Sequence, residues 1–547
     1  MRRGMITLAL SLAIGGLSAA ASPAGASAPA QPGAAGGGVR ADFNGDGIAD
    51  LAVGVPGEDV GNIVDGGAVN VQYGSTGGLL ASPGQLFTQV GSAPEAGDFF
   101  GEALASGDFN GDGFPDLAVG ASGEDAGAIR DAGAVSVLYG SSVGLRTAGG
   151  QIFTQVGSAA EADDGFGFAL AAGDFDGNGF ADLAVGAPFE TGNGTPQSGA
   201  VSVLYGSAAR LSTAGGRLFT QVGSAAEPDD AFGFALATGD FDNDGFADLA
   251  AGAPFEDAGR VVDAGAVSVL YGSAARLGTA RGQIFTQVGS SPENTDLFGF
   301  ALATGDFNGD GRADLAAGAP NEGVFSTPSA GAVSVLYGSA AGLNTAGGQI
   351  FTQVGSAPEA GDAFGFALAT GDFNGNGFAD LAVGAPFETG NGTPFSGAVS
   401  VLYGSASRLS TAGGRLFTQV GSAAETDDEF GYSLATGDFN GNGTVDLAAA
   451  APGESVFSIV AGGAVSVLNG SASGLTTAGG YLFTQNSPGV GSSAEPGDFF
   501  GAALASAVPG PTATAAGPAA ATSPTATSPT AAVSGQLRPG ATRTAAR

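Results

Sequence analysis

The chain has no His, no Cys, no Trp and no Lys, so its 16 basic residues are all Arg. Each absence excludes chemistry. Without His or Cys there is no Ser-His-Asp triad, no Cys-His nucleophile and no His/Cys zinc site, and without Lys there is no Schiff base. Without Cys no disulfide can staple a small repeat, so another staple is needed. Set against 52 acidic residues, the arginines leave a net charge of −36. Such a surface repels nucleic acid and anionic membrane and attracts cations.

What is present is glycine, apolar residues and repetition. Of 547 residues 101 are Gly and 43% are hydrophobic, a length that on average would divide into three or four domains of roughly 150 residues. The ends differ from the middle. Residues 1–21 read as a secretory signal peptide: Arg2 and Arg3 precede an apolar stretch from Ile6 to Leu17, too short to anchor in a bilayer, and Ala19–Ala21 offers a small-residue cleavage site. Residues 22–41 read as a flexible linker. Residues 508–547 are Ala, Thr, Pro and Ser with almost no large apolar side chain, and are expected to be disordered. The expectation is a secreted, extracellular protein with no membrane span, acting as a monomer.

Between the ends, Asp-Phe followed by an Asn/Asp/Gly cluster starts at Asp42, Asp108, Asp174, Asp240, Asp306, Asp372 and Asp438, every 66 residues, and Phe-Gly recurs from Phe100 at the same period. A seventh Phe-Gly at Phe500 is displaced by four residues through an insertion around Asn486 to Gly491. In the second copy four apolar runs, Phe100 to Phe109, Leu117 to Ala121, Ala134 to Tyr139 and Gln151 to Val156, are separated by turn residues and read as four short strands. A solenoid and a closed propeller both fit. The chain decides for closure: the first loop lacks a preceding Phe-Gly strand, and the last such strand, Phe499 to Ser506, lacks a following loop. The expected fold is all-β, a seven-bladed β-propeller of four-stranded antiparallel blades over residues 42–507, in which the C-terminal strand completes the N-terminal blade and removes an exposed sheet edge.

The polar loops carry oxygen side chains at positions 1, 3, 5 and 9, with the carbonyl of position 7 as a further donor. The sets are Asp42, Asn44, Asp46, Ile48 and Asp50; Asp108, Asn110, Asp112, Phe114 and Asp116; Asp174, Asp176, Asn178, Phe180 and Asp182; Asp240, Asp242, Asp244, Phe246 and Asp248; Asp306, Asn308, Asp310, Arg312 and Asp314; Asp372, Asn374, Asn376, Phe378 and Asp380; and Asp438, Asn440, Asn442, Thr444 and Asp446. Calcium takes six to eight such oxygens, and a cation offsets the repulsion of clustered carboxylates. The start resembles an EF-hand, but position 12 is Val53 and a strand follows rather than a helix. Asx-turn hairpins without metal are the alternative. The reading is about seven Ca2+, one per loop. The Asp240 set, with four carboxylates, should empty last, and the Asp372 and Asp438 sets, with two each, should empty first.

A Phe-Gly strand, a DxNxDGxxDL loop and a following Gly-Ala-Pro, as at Gly186–Pro188 and Gly384–Pro386, resemble FG-GAP repeats, which build the N-terminal propeller of integrin alpha chains. The resemblance covers residues 42 to about 507. It implies Ca2+ between the first and second strands of a blade, and a role in adhesion or partner binding. In one blade Ala121-Ser122 stands where the pattern has Ala-Pro.

Strand alternation puts the metal loops with Arg146, Arg210, Arg276 and Arg408 on one face. The other face carries Glu58, Glu124, Glu190, Glu256, Glu322, Glu388 and Glu454, a second series from Glu95 to Glu495, and Phe189, Phe255, Phe325, Phe387 and Phe457. The glutamates are expected to fix their own loops by accepting backbone N–H groups. The Phe residues either tuck into blade seams or bind a partner. The leading functional reading is a non-enzymatic adhesion or recognition module for an extracellular protein or glycan. A structural spacer or matrix component is the second reading. A carboxylate-based hydrolase is the third, disfavoured because a catalytic pair should be unique and these acids recur.

Overall fold

A computed structural model describes residues 41–506 apart from 82, 83 and 391. The expected signal peptide, nearly all of the linker and the Ala/Thr/Pro/Ser-rich tail lie outside the described residues.

The second blade shows how the repeat folds. Its strands are Leu104–Gly107, Asp116–Ala121, Ala134–Tyr139 and Arg146–Phe153, antiparallel and in sequence order. The middle two are buried along their whole length, because their small and β-branched side chains (DLAVGA, AVSVLY) are covered on both faces by neighbouring blades. The outer strand is exposed over its first half. Blades three to seven repeat this order within 169–219, 236–285, 302–351, 367–417 and 434–483.

Two expected boundaries move. The Phe-Gly pair precedes the inner strand: Gly101 has φ 99°, a left-handed conformation incompatible with a strand. A second glycine series, in the second strand, permits close approach between blades, since a Cβ on Gly120 would lie 2.0 Å from the Gly167 carbonyl oxygen. The outer strand runs Arg146–Phe153 rather than Gln151 to Val156. Its Thr-Ala-Gly-Gly half faces solvent and has no apolar alternation to read, while Gln155 and Val156 leave the sheet to hold the next blade.

The first blade is built from both ends of the described chain. Leu51–Val55 pairs with Ala68–Gln72 on one side and, on the other, with Leu504–Ala505 through Ala52↔Ala505 and Val53↔Leu504. The inner strands then neighbour one another in a full circle. Seven four-stranded sheets thus close into a propeller, with no α-helix among the described residues. The four-residue insertion is accommodated at the closing seam. Asn70 replaces the serine that elsewhere bonds a Val carbonyl across the seam (Ser136 to Val90, 2.9 Å), and its longer amide reaches Gly491 N–H and Ser492.

The core lies in the seams. The Phe of each Asp-Phe pair, from Phe43 to Phe439, is at most 1% exposed. Nearer the axis Phe168, Phe234, Phe300, Phe366 and Tyr432 form an arc of rings 5.0–5.1 Å apart. In the second blade the equivalent residue is Glu102, fully buried, and it accepts a hydrogen bond from Ser122, the residue that stands where the repeat has Pro. The two departures are one adjustment: a buried carboxylate needs a donor, and proline has none.

Candidate metal loops and the opposite face

Each polar loop sits between the inner and second strands, and its side chains fold the turn. Position 1 accepts two or three backbone N–H groups; Asp42 takes those of Asp46 (2.9 Å) and Gly47 (2.7 Å), and Asp108 those of Gly111, Asp112 and Gly113. The position 3 oxygen of Asn44 also accepts from Asp46, and Asp46 accepts from Ile48. Positions 1 and 3 are half-buried in most loops and position 5 is exposed in all seven. Position 9 is fully buried. Asp50, Asp116, Asp182, Asp248, Asp314, Asp380 and Asp446 each accept a Phe N–H from their own loop and a Gly N–H from the turn after the third strand, at 2.7–3.1 Å. This residue therefore ties two loops of a blade together.

Burial pushes these position 9 carboxyls up to about 7 or 8, with the backbone N–H bonds opposing the shift and the loop's other aspartates adding to it. A cation among the loop oxygens would remove that repulsion. The donor set fits a hard divalent cation: all ligands are oxygens, and the carboxylates of Asp174, Asp176 and Asp182, and of Asp240, Asp242 and Asp244, offer oxygens within 4.8 Å of one another. Asp242 Oδ1 is buried with no hydrogen-bond partner, an orphaned acceptor of the kind an ion satisfies.

Position 7 offers its carbonyl to the loop, and its side chain has a further role that spacing alone does not reveal. The Phe114 ring lies over Gly45 of the preceding loop, Phe180 over Gly111, Phe246 over Gly177 and Phe378 over Gly309. Adjacent loops are also joined through the main chain: Ala181 N–H donates to Asp108 O, Ala247 to Asp174 O, and Ala49 to Asp438 O across the closing seam. Pro115 has no N–H to give at the seam between the first two blades. On this rim Arg210, Arg276 and Arg408 stack on Tyr139, Tyr205 and Tyr337 at 4.1–4.4 Å.

On the opposite face the glutamates behave differently from the expectation. Glu124 takes the side-chain amide of Gln89 (2.7 Å), which lies in the link from the preceding blade; Gln155–Glu190, Gln419–Glu454 and Gln485–Glu58 repeat the latch. Glu95, Glu161, Glu227, Glu293, Glu359, Glu425 and Glu495 donate their own N–H to a further acid, Asp98, Asp164, Asp230, Asp296, Asp362, Asp428 and Asp498, at 2.5–2.6 Å. These aspartates recur every 66 residues up to Asp428 as Asp-x-Phe-Gly, and their role was missed. Each is at most 2% exposed. Burial raises them to about 7 or 8, the Glu N–H bond opposes, and a nearby carboxylate adds to the rise, the latch glutamate in six blades and Glu495 with Asp59 at Asp498.

The five Phe residues of this face divide. Phe255 and Phe387 are buried and Phe189 half-buried, edge-on to the arc of rings at 5.8–6.2 Å. Phe325 and Phe457 are 89% and 95% exposed, at loop tips with φ 53° and 59°. The equivalent positions in four other blades are Gly61, Gly127, Asn193 and Gly259, all at positive φ.

The FG-GAP repeat family model matches residues 35–71, 100–138, 166–204, 232–270, 298–336, 364–402 and 430–468, one match per blade. The chain belongs to the FG-GAP repeat family, as a seven-bladed propeller similar to that of integrin alpha chains. It is 36% identical over 247 residues to integrin alpha-PS2 of Drosophila melanogaster, covering 43% of this chain and 16% of that protein. It is 38% identical over 168 residues to phosphatidylinositol-glycan-specific phospholipase D of Rattus norvegicus (30% and 20%), and 32% identical over 244 residues to integrin alpha-V of Gallus gallus (42% and 21%). The matched region spans only 16 to 21% of these relatives' own length. Among the described residues no helix is long and apolar enough to cross a membrane.

Proposed function

We propose that the protein is a secreted, calcium-stabilised recognition module whose acidic face, opposite the metal loops, docks an extracellular protein or glycan. The observation that carries this reading is the pair Phe325 and Phe457. Holding a large side chain in the left-handed region costs roughly 1–2 kcal/mol, and an exposed aromatic ring returns nothing to folding. Glycine or asparagine serves the same turn elsewhere in the ring, so the two rings answer to something outside the fold. Exposed aromatics of this kind are the usual anchors of an interface.

In the proposed metal sites the side chains at positions 1, 3, 5 and 9 and the carbonyl at position 7 of each loop hold Ca2+. The ion supplies positive charge that keeps the loop carboxylates ionised and pins the turn. The chain's own residues do the rest: position 9 joins the two turns of a blade, and the bonds to the next loop pass that order round the rim. No catalytic step is assigned. The acids recur in every blade, and the phospholipase D relative shares only a fifth of its length with this chain.

The test is binding of the full chain to arrayed glycans and extracellular proteins with Ca2+ present, comparing wild type with Phe325→Ser/Phe457→Ser. Loss of binding at unchanged melting temperature supports the reading; undiminished binding by the double variant overturns the assignment of this face. Metal analysis of the same protein at saturating Ca2+ should give about seven ions, and two or fewer would sink the calcium assignment.

A further inference from the structure

Resting on the calcium reading above, we propose that Arg281 is a built-in counter-ion of the fourth blade, competing with the divalent cation for the Asp240 loop, so that the loop richest in carboxylates depends least on metal.

The repeat itself supplies the control. The fourth residue of the outer strand is Gly149, Gly215, Gly347, Gly413 or Gly479 in five other blades and Arg281 in this one. The same blade alone has Asp at both positions 3 and 5 of its loop, where the others carry at least one Asn. The two exceptions meet. Arg281 Nη2 lies 2.6 Å from Asp242 Oδ2, and Nη1 lies 3.9 Å from Asp244 Oδ2. The guanidinium is held in place by stacking on Tyr271, 4.6 Å from the ring centre.

The pairing changes the loop. In the other six loops the position 3 side chain accepts the position 5 N–H: Asn44, Asn110, Asp176, Asn308, Asn374 and Asn440 all do so. Asp242 does not. One of its oxygens is on Arg281 and the other, though the side chain is only 4% exposed, has no partner. Asp242 has turned to the arginine and left one acceptor aimed at nothing. A divalent ion could use that oxygen only beside a fixed positive charge, which opposes its entry. Elsewhere on the rim arginine approaches loop carboxylates less closely: Arg276 to Asp176 at 3.5 Å and Arg312 to Asp310 at 3.8 Å. Ranking the loops by carboxylate count, which puts the Asp240 set first, omits this internal cation.

The experiment compares the full chain with Arg281→Gly, which restores the residue of the other blades, and with Arg281→Lys, which keeps the charge. Hydrogen exchange of segment 240–248 is followed through a Ca2+ titration from chelator upward. In wild type this segment should stay protected in chelator and change little as Ca2+ rises. In Arg281→Gly it should lose protection in chelator and regain it at Ca2+ concentrations at least tenfold below those that affect wild type; Arg281→Lys should follow wild type. If Arg281→Gly leaves the profile of 240–248 unchanged while the other loops respond to Ca2+, the arginine is a packing residue and the inference fails alone. If no loop responds in any of the three proteins, the calcium reading falls and takes this inference with it.

Discussion

The metal-loop rim and the opposite rim both bury an aspartate in every blade, and they neutralise it in different ways. On the loop rim the position 9 carboxylate accepts two backbone N–H groups and faces further aspartates across a hard-oxygen cluster. On the other rim the Asp98-type carboxylate accepts one N–H and faces a glutamate that is itself held by a glutamine from the blade before. The first arrangement is short of a cation. The second is short of a proton, since two carboxyl groups that close share one more readily than both ionise. On the calcium reading proposed above, the same number of buried acids makes the loop rim responsive to divalent ions as well as to pH, and the other rim responsive to pH alone.

Chelation should separate the rims most strongly. Setting aside the Asp240 loop with its own counter-ion, each remaining site at a hundredfold excess over Kd would add about 2.7 kcal/mol. Stripping Ca2+ at neutral pH should therefore lower Tm by on the order of 10 °C or more, with exchange rising first on the loop rim. Equal loosening of both rims would break the comparison.

The pH dependence comes next. The Asp98-type groups ionise near 3.8 when unfolded and near 7 or 8 when folded. Between those values the folded state binds protons that the unfolded state does not, so stability is full below about pH 4 and falls as pH rises through about 8. In chelator the protein should melt higher at pH 5 than at pH 8.5. The position 9 carboxyls, raised to the same range, contribute in the same sense, so Asp362→Asn should lessen the dependence by a single group's share and raise the pH 8.5 stability by on the order of 1 kcal/mol; a variant as pH-sensitive as wild type would show that Asp362 is not among its sources.

Single residues sharpen the contrast further. Asp380→Ala leaves the Phe373 and Gly404 N–H groups without acceptors inside the fold and should cost about 2–5 kcal/mol at any Ca2+ concentration, measured by denaturant unfolding. The smallest effect has the opposite sign: Phe457→Gly relieves a left-handed backbone and should gain about 1 kcal/mol in stability while weakening partner binding.

Much of this architecture was legible because one period runs through it. Asp42 to Asp438 and the Phe-Gly pairs share a 66-residue spacing, and the orphaned Phe499–Ser506 segment told how the ring closes. The candidate loops were legible for the same reason. What escaped attention was repeated just as faithfully. Asp98 stands two residues before a Phe-Gly pair and Gln89 within an apparently apolar strand, so the more familiar motif absorbed both. Their partnership with Glu124 joins residues 26 and 35 positions away, through packing that no local spacing expresses. The Arg281 pairing was hidden by a different logic: it breaks the period, and its partner lies 39 residues upstream across a blade.

The uniformity of the third strand has a kinetic side. Five blades use the same six residues, AVSVLY, at Ala134–Tyr139, Ala200–Tyr205, Ala266–Tyr271, Ala332–Tyr337 and Ala398–Tyr403. While the chain is still collapsing, a second strand finds five nearly equivalent partners, and wrong choices yield compact states close in energy to the right one. Swapped blades and blades exchanged between molecules are the expected traps. The irregular residues then acquire a further value as address labels: Glu102 with Ser122, Asn70 with Gly491, and Arg281 with Asp242 fit only when each segment has reached its own place in the ring.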